Sequence, residues 1–288
     1  MKYANWNVPE RGAEVPRALL AAGCTPLLAA ILHLRGLSDP AAARSFLRGG
    51  AETLTNPLEL TGMVDAVQRL TRAVATGEHV AVYGDYDVDG ITAACLLTDY
   101  LRFRGLTCEL KIPDRIRDGY GLNTAAIDAL AEEGVTLIVT VDCGVTNLEE
   151  TAYAAQRGVD MIVTDHHECR EALPEAEAVV DPKQPDSSGV GTALAGVGVA
   201  FKLVCAMDGD ADKMRARYGD LVAVGTVADV MPLLGENRFI TRCGLQKIAA
   251  GDCRPGFLAL AEEAGVRDKP FTASTVGFSL APRINAAG

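Results

Sequence analysis

Three short apolar runs, each ending in carboxylates or imidazoles, constrain this chain more than any other feature. They read "HVAVYGDYDVD" (79–89), "TLIVTVDCG" (136–144) and "MIVTDHH" (161–167). Between them lie longer amphipathic stretches. The spacing predicts helices over Met63 to Gly77, over Ile91 to Phe103 with a stop at Gly105, over "TAAIDALAEEG" behind a capping Asn123, and from Asn147 through Gly158. "TCELKI" supplies one more strand. Short continuous apolar runs alternating with amphipathic helices predict an α/β fold, a mostly parallel sheet flanked by helices on both faces. In such sheets the carboxyl ends of the strands form the ligand crevice, so Asp85, Asp87, Asp89, Asp142, Asp165, His166 and His167 are expected to converge on one rim.

The stretch "GDYDVDG" (Gly84 to Gly90) opens like a calcium loop of an EF-hand. The loop then fails: its twelfth position, which requires a bidentate Glu, is Leu96, and a strand precedes it where an EF-hand needs a helix. Asp also caps helices, which gives these residues an ordinary structural reading. Three alternating carboxylates repel one another, however, unless a cation offsets the charge. A carboxylate and imidazole set without thiolate suits Mn²⁺ or Mg²⁺ better than structural zinc. One rim then carries enough ligands for two ions, the usual apparatus of phosphoester hydrolysis, with Asp142 the natural bridging ligand. Asp142 alone reads equally as a turn or helix cap, and a single histidine as a satisfied group. Two adjacent histidines behind a strand, preceded by Asp165, do not reduce to that.

The remaining sequence sets limits. With 288 residues the chain can bury one large or two modest cores, and its formal net charge of −11 argues against a surface coated for nucleic acid while leaving room for a local basic groove. Eight cysteines without CxxC or zinc spacing, and no export signal, imply reduced thiols and a cytoplasmic protein. The apolar stretch from Ala18 to Leu34 follows Glu10 and Glu14 and is interrupted by Pro26, so it predicts a short helix pair and no membrane span. "SDPAAARSFL" continues it, with Ser38 or Asp39 as cap and Pro40 in the first turn. A small helical segment (1–56) therefore precedes the α/β part (57–288). Beyond Asp181 the pattern turns loop-rich, then helical from about Thr192 to Met207 and from Glu236 to Ala249, while "LVAVGTVADV" stays open between strand and helix.

"GDYDVDG", "VDCG", "TDHH" and "GTVADVMPL", in that order, resemble the four signature motifs of the DHH phosphoesterase superfamily, and their wording resembles its RecJ branch of single-strand-specific 5′ to 3′ exonucleases. The likeness runs from Trp6 to Gly288 through "GYGLN" (119–123), "LAGVGVAFKL" (194–203) and "PRINAAG" (282–288). It implies that Asp85, Asp87 and Asp142 hold one Mn²⁺ or Mg²⁺, and that Asp89, Asp142, His166 and Asp229 hold the other. It also favours helix for the segment leading to Asp229. Asp165 would orient the imidazoles and His167 would face the scissile phosphate. Arg283 and Asn285 become candidates for the substrate's phosphates. Gly196 and Gly198 would let backbone N–H groups approach a phosphate, or else serve tight helix packing. Lys111, Arg115 and Arg117, in "KIPDRIRDGYG", would form a local basic edge or a merely solvated loop.

RecJ-type proteins continue into a second α/β domain and an OB-fold, so this chain is expected to be a truncated catalytic half. The implied function is two-metal hydrolysis of single-stranded DNA with release of 5′-mononucleotides, by a monomer working with repair or recombination proteins away from membranes. Two alternatives stay open: a DHH phosphoesterase on short oligonucleotides, cyclic dinucleotides or pyrophosphate, and a non-catalytic DNA-binding scaffold. Ligand loss would mark the scaffold, and the ligands are all present.

Overall fold

The structure, a computed structural model, describes residues 15–117, 119 and 121–287. Trp6, Glu10, Glu14, Tyr120 and Gly288, which the sequence reading uses, lie outside them. The chain divides into a unit ending at Leu54 and a unit beginning at Thr55.

The first unit contains α1 (Arg17–Ala21), α2 (Pro26–Leu34) and α3 (Pro40–Arg48). Pro26 and Pro40 open their helices behind caps whose side chains accept backbone N–H groups, Thr25 from Leu28 and Asp39 from Ala42. Ser38 is not the cap; its hydroxyl lies 2.7 Å from His33 Nδ1. Leu19, Ala29, Leu32 and Ala43 make a small core of their own.

The second unit begins with α4 (Met63–Thr76) and then alternates: β1 (His79–Gly84), α5 (Val88–Phe103), β2 (Thr107–Lys111), α6 (Thr124–Glu132), β3 (Leu137–Val141), α7 (Leu148–Gln156), β4 (Asp160–Thr164) and β5 (Ala178–Val180). The strands form one parallel sheet in the order β2-β1-β3-β4-β5. From β1 the chain moves through α5 to one side of the sheet; from β2 it returns past β1 through α6 to β3, and through α7 to β4. Right-handed crossovers travelling in opposite directions put α5 on one face and α6 and α7 on the other. Alternate strand residues follow this division. Ala81, Tyr83, Ile138, Met161 and Val163 pack with Ile127 and Leu130 of α6 and Ala154 of α7. Val80, Val82, Leu137, Val139 and Ile162 are equally buried. Both faces are dry, which is why the strands read as unbroken apolar runs.

The reversal of direction falls between β1 and β3, so a crevice opens at the carboxyl ends of these two strands. The chain continues with α8 (Gly196–Asp208), α9 (Ala211–Ala228), α10 (Gly235–Ala249) and α11 (Pro255–Glu263), of which α8 and α9 pack on α5. A last helical stretch, Ala273–Asn285, contains a π-helical turn at Val276–Leu280. Among the described residues no helix is long and apolar enough to cross a membrane.

The expected sheet and helices are present, with three departures. α5 begins at Val88, ahead of the expected Ile91, because Asp87 caps it by accepting the Gly90 N–H at 3.0 Å. Gly90 is thus a helical residue, and glycine is required there because a Cβ would stand 2.5–2.7 Å from the Asp85 backbone. α8 begins at Gly196 and not at Thr192: Gly189 and Gly191 adopt positive φ, and the Leu194 N–H closes a turn onto the Gly191 carbonyl at 2.8 Å. "LVAVGTVADV" is helical as far as Ala228, in agreement with the resemblance; residues Gly219 to Thr226 of α9 are buried all round, so no helical period is visible in it. β5 is a strand the sequence reading lacks; its three residues are too few to form a pattern.

Candidate metal centre

Three loops at the carboxyl ends of the strands bring the acidic and imidazole groups together. The Asp85, Asp87 and Asp142 carboxylates offer oxygens within 4.8 Å of one another. So do Asp89, His166 and Asp229, and so do Asp142, His166 and His167. Asp142 and His166 each belong to two of these groups.

The backbone arranges this locally. Asp142 adopts φ 61°, a left-handed conformation uncommon for a residue with a side chain, while its N–H still bonds to the Thr164 carbonyl at 3.0 Å. The chain therefore turns sharply off β3 and directs the carboxylate into the crevice. Asp229 terminates α9, and Val230 behind it also has positive φ. Asp89 stands in the first turn of α5 and is 1 % exposed. Its two oxygens accept the Gly196 N–H at 2.6 Å and the Val197 N–H at 2.9 Å, so the positive end of α8 rests on it.

Asp165 is a four-bond acceptor. Oδ1 takes the His166 N–H at 2.7 Å, the His167 N–H at 3.2 Å and a bond with His167 Nδ1 at 2.8 Å; Oδ2 takes the Val145 N–H at 3.0 Å. It orients the His167 ring but touches His166 only through the backbone, which corrects the expectation that it orients both imidazoles. His166 Nε2 points at carboxylates: 3.0 Å from Asp142 Oδ1, and 3.7 Å from both Asp89 Oδ2 and Asp229 Oδ2. The 3.0 Å approach lacks hydrogen-bond geometry, so His166 Nε2 and Asp142 Oδ1 are both buried without a hydrogen-bond partner among the described residues.

The electrostatics are those of a site built for cations. Burial pushes the Asp85 carboxyl up to about 6, with Asp87 adding repulsion. Burial raises Asp89 well above the carboxylate range, and the neighbouring Asp142 raises it further. Asp142 rises for the same reason, with Asp87, Asp165 and Asp229 as repelling charges. Burial also raises Asp229. Asp165 runs the other way: burial works against it, yet the His167 bond and charge and the backbone N–H groups hold it below its ordinary value. The same bond raises His167. Carboxylates that repel this strongly, beside orphaned acceptors on Asp85, Asp142 and His166, fit divalent cations. The donors are oxygen and imidazole nitrogen only. Cys143, though adjacent, turns its sulfur to the Tyr83 carbonyl at 3.8 Å, so the set suits Mn²⁺ or Mg²⁺.

The residues expected to hold substrate divide. Arg115 lies over the Tyr86 ring, 4.4 Å from its centroid, beside the first carboxylate loop. Lys111 ends β2. Arg117 is paired with Asp114 at 2.9 Å and belongs to that local turn. Arg283 donates to the Ser279 carbonyl at 2.7 Å. Asn285 Oδ1 accepts the Val88 N–H at 3.0 Å, serving as a second cap on α5. Gly196 is needed because a Cβ there would stand 2.5 Å from the Asp142 Cβ, and its N–H meets Asp89, not a phosphate. Gly198 approaches the Leu194 side chain, a packing role.

Sequence reasoning missed Asp181. It is fully buried behind β5, Oδ1 accepts the Lys183 N–H at 2.8 Å, and Oδ2 has no partner among the described residues. Burial pushes it up to about 6. "AVVD" repeats, in miniature, the pattern of an apolar run ending in Asp, which was the available signal.

Comparison with known proteins places this architecture. The DHH family, N-terminal domain, matches residues 79–226. The single-stranded-DNA-specific exonuclease RecJ of Bacillus subtilis is 40 % identical over 264 residues, covering 92 % of this chain and 33 % of its own length. A crystal structure of RecJ in complex with Mn²⁺ from Thermus thermophilus superposes with TM-score 0.78 and 33 % identity, over 96 % of this chain and 39 % of that one. A crystal structure of exonuclease RecJ bound to manganese gives TM-score 0.71 and 37 % identity, over 82 % and 58 %. The chain spans about a third to a half of the length of the curated relatives it matches. With a family match across the whole alternating β/α core and the ligand groups gathered at its switch point, the chain belongs to the DHH family.

Proposed function

We propose that residues 57–288 are the catalytic domain of a RecJ-type, single-stranded-DNA-specific 5′ to 3′ exonuclease that uses two Mn²⁺ or Mg²⁺ ions and acts in DNA repair and recombination in the cytoplasm. The observation that carries this reading is the pair of ligand groups meeting at Asp142 and His166. Asp85, Asp87 and Asp142 would hold one ion, and Asp89, Asp142, His166 and Asp229 the other. When bound, such ions acidify water and neutralise charge on the reacting phosphate.

The chain's own residues prepare the rest. Asp165 fixes the His167 ring, which is 45 % exposed at the rim, where it can contact an incoming phosphate. The N-terminus of α8, whose first N–H groups are taken by Asp89, fixes that carboxylate in place at the centre. Arg115, stacked on Tyr86, offers a planar cation and an aromatic face next to the centre, the elements that single strands use for backbone and base contacts. Arg283, two residues before the Asn285 that caps α5, would add a cation for the substrate's phosphates.

The test incubates the chain with Mn²⁺ and end-labelled DNA, single-stranded and duplex, beside Asp142→Ala. The expected result is loss of nucleotides from the 5′ end of the single strand only, slowed by at least about 10²–10³ in the variant, with the metal-free variant still folded and melting cooperatively. Near-normal turnover by Asp142→Ala refutes the two-metal assignment. Hydrolysis of dinucleotides or pyrophosphate, with DNA untouched, assigns the centre to the small-substrate class.

A further inference from the structure

An imidazole that ligates a metal through one nitrogen carries its proton on the other, and that N–H is ordinarily held by a carboxylate or carbonyl. His166 directs Nε2 at Asp142, Asp89 and Asp229, which leaves Nδ1 facing into the protein. Nδ1 is buried and has no partner among the described residues. A buried donor in that position needs an acceptor.

Asp165, the obvious candidate, is already committed to His167 and to three backbone N–H groups. The next carboxylate along the same edge is Asp181. β5 pairs in parallel with β4 in the register Thr164↔Val180, and the Asp165 N–H bonds to the Val180 carbonyl at 3.1 Å. Asp181 therefore leaves β5 at the level where Asp165 and His166 leave β4, about one strand spacing away. It is fully buried, its Oδ1 is held by the Lys183 N–H, and its Oδ2 is a second buried orphan. An orphaned acceptor and an orphaned donor thus end neighbouring strands.

We propose that Asp181 is a positioning residue for the metal centre: its Oδ2 receives the Nδ1–H of His166, fixes the ring's tautomer and aims Nε2 at the ion shared with Asp89 and Asp229. The proposal rests on the two-metal reading above. It also explains why a carboxylate with an unpaired oxygen is kept there at the cost of its desolvation.

The experiment titrates Mn²⁺ into the wild-type protein, Asp181→Leu and Asp181→Asn by calorimetry, and records the His166 ring nitrogens by ¹⁵N NMR in the Mg²⁺-loaded proteins. Asp181→Leu is expected to weaken one of two Mn²⁺ sites by about 10- to 100-fold. Asp181→Asn, which keeps an acceptor oxygen, is expected to bind nearly as wild type while its His166 Nδ1–H resonance moves upfield as the acceptor loses charge. A wild-type protein that binds no Mn²⁺ overturns the two-metal reading itself. Two intact sites in Asp181→Leu with an unchanged His166 tautomer overturn this inference alone. Should Asp181→Leu not fold, an unmoved Nδ1–H resonance in Asp181→Asn has the same consequence.

Discussion

Asp142 concentrates the problem that single residues solve in this protein. Its left-handed backbone is disfavoured by roughly 1–2 kcal/mol for a residue with a Cβ, and its carboxylate is buried among like charges. The conformation persists because the β3–β4 ladder holds its N–H and because Gly196 leaves the space its side chain occupies. Gly196→Ala should therefore destabilise the fold by about 1–3 kcal/mol through overpacking and weaken Mn²⁺ binding, since the added methyl collides with Asp142, the proposed shared ligand. Gly198→Ala, whose methyl would first meet the Leu194 side chain at 3.1 Å, is the control. Chemical denaturation and a Mn²⁺ titration of the two variants make the comparison. Equal losses in both would show that α8 tolerates no methyl anywhere and that Asp142 is not the cause.

At the scale of elements, α8 is the part on which the centre leans, and it is fixed at both faces. Its N-terminus holds Asp89, while Lys202, 3 % exposed at the side chain, bonds Glu236 of α10 at 2.7 Å and the carbonyl and hydroxyl of Thr55 at 2.6 and 2.7 Å. A buried pair contributes little net stability over an apolar substitute, but an unmatched buried charge is costly. Lys202→Met alone should cost about 3–5 kcal/mol, and the double variant Lys202→Met, Glu236→Leu should recover most of it. Urea denaturation of the three proteins decides this. A double variant no more stable than the single one would mean that the ion pair itself, and not the abandoned charge, holds α8 to α10.

For the whole molecule, the sheet gathers acidic groups at one edge and the apo fold bears their repulsion. Asp85 and Asp181 are each raised to about 6, with Asp89, Asp142 and Asp229 also raised. A carboxyl whose folded value lies above its unfolded value of about 4 binds more protons when folded, so its contribution is most favourable below about 4 and is lost as pH rises through about 6. His167, raised by Asp165, loses its contribution in the same direction as it deprotonates. The melting temperature of the metal-free protein is expected to fall between pH 5 and about pH 7. Saturating Mg²⁺ should flatten or reverse that slope, because the cations replace the protons. A metal-free protein whose stability rises across this interval would show that these carboxyls ionise without penalty.

The sequence by itself determined the layered α/β architecture, since apolar runs of strand length between amphipathic helices admit few other solutions. It also brought most of the candidate ligands into view, because each run ends in them, whereas Asp229, at the end of α9, entered only through the resemblance. Capping at Asn123 and Asp39 was legible for the same reason: a short polar side chain before an apolar period has a local purpose. What only the tertiary structure decided were relations between segments distant in the chain. That α8 starts at Gly196 depends on Asp89, 107 residues earlier, accepting its first N–H groups. That Asn285 caps α5 depends on contact with Val88 across 197 residues. Gly90 and Gly196 read as loop or phosphate glycines, yet they are small because a carboxylate loop passes against them. Asp181 stayed invisible because three residues of β5 carry no period, and only the β4–β5 register sets it level with Asp165 at the end of β4. Periodicity and capping are local and leave a trace in neighbouring residues; close approach and register arise where separate elements meet, and a single chain of letters does not record the distance between them.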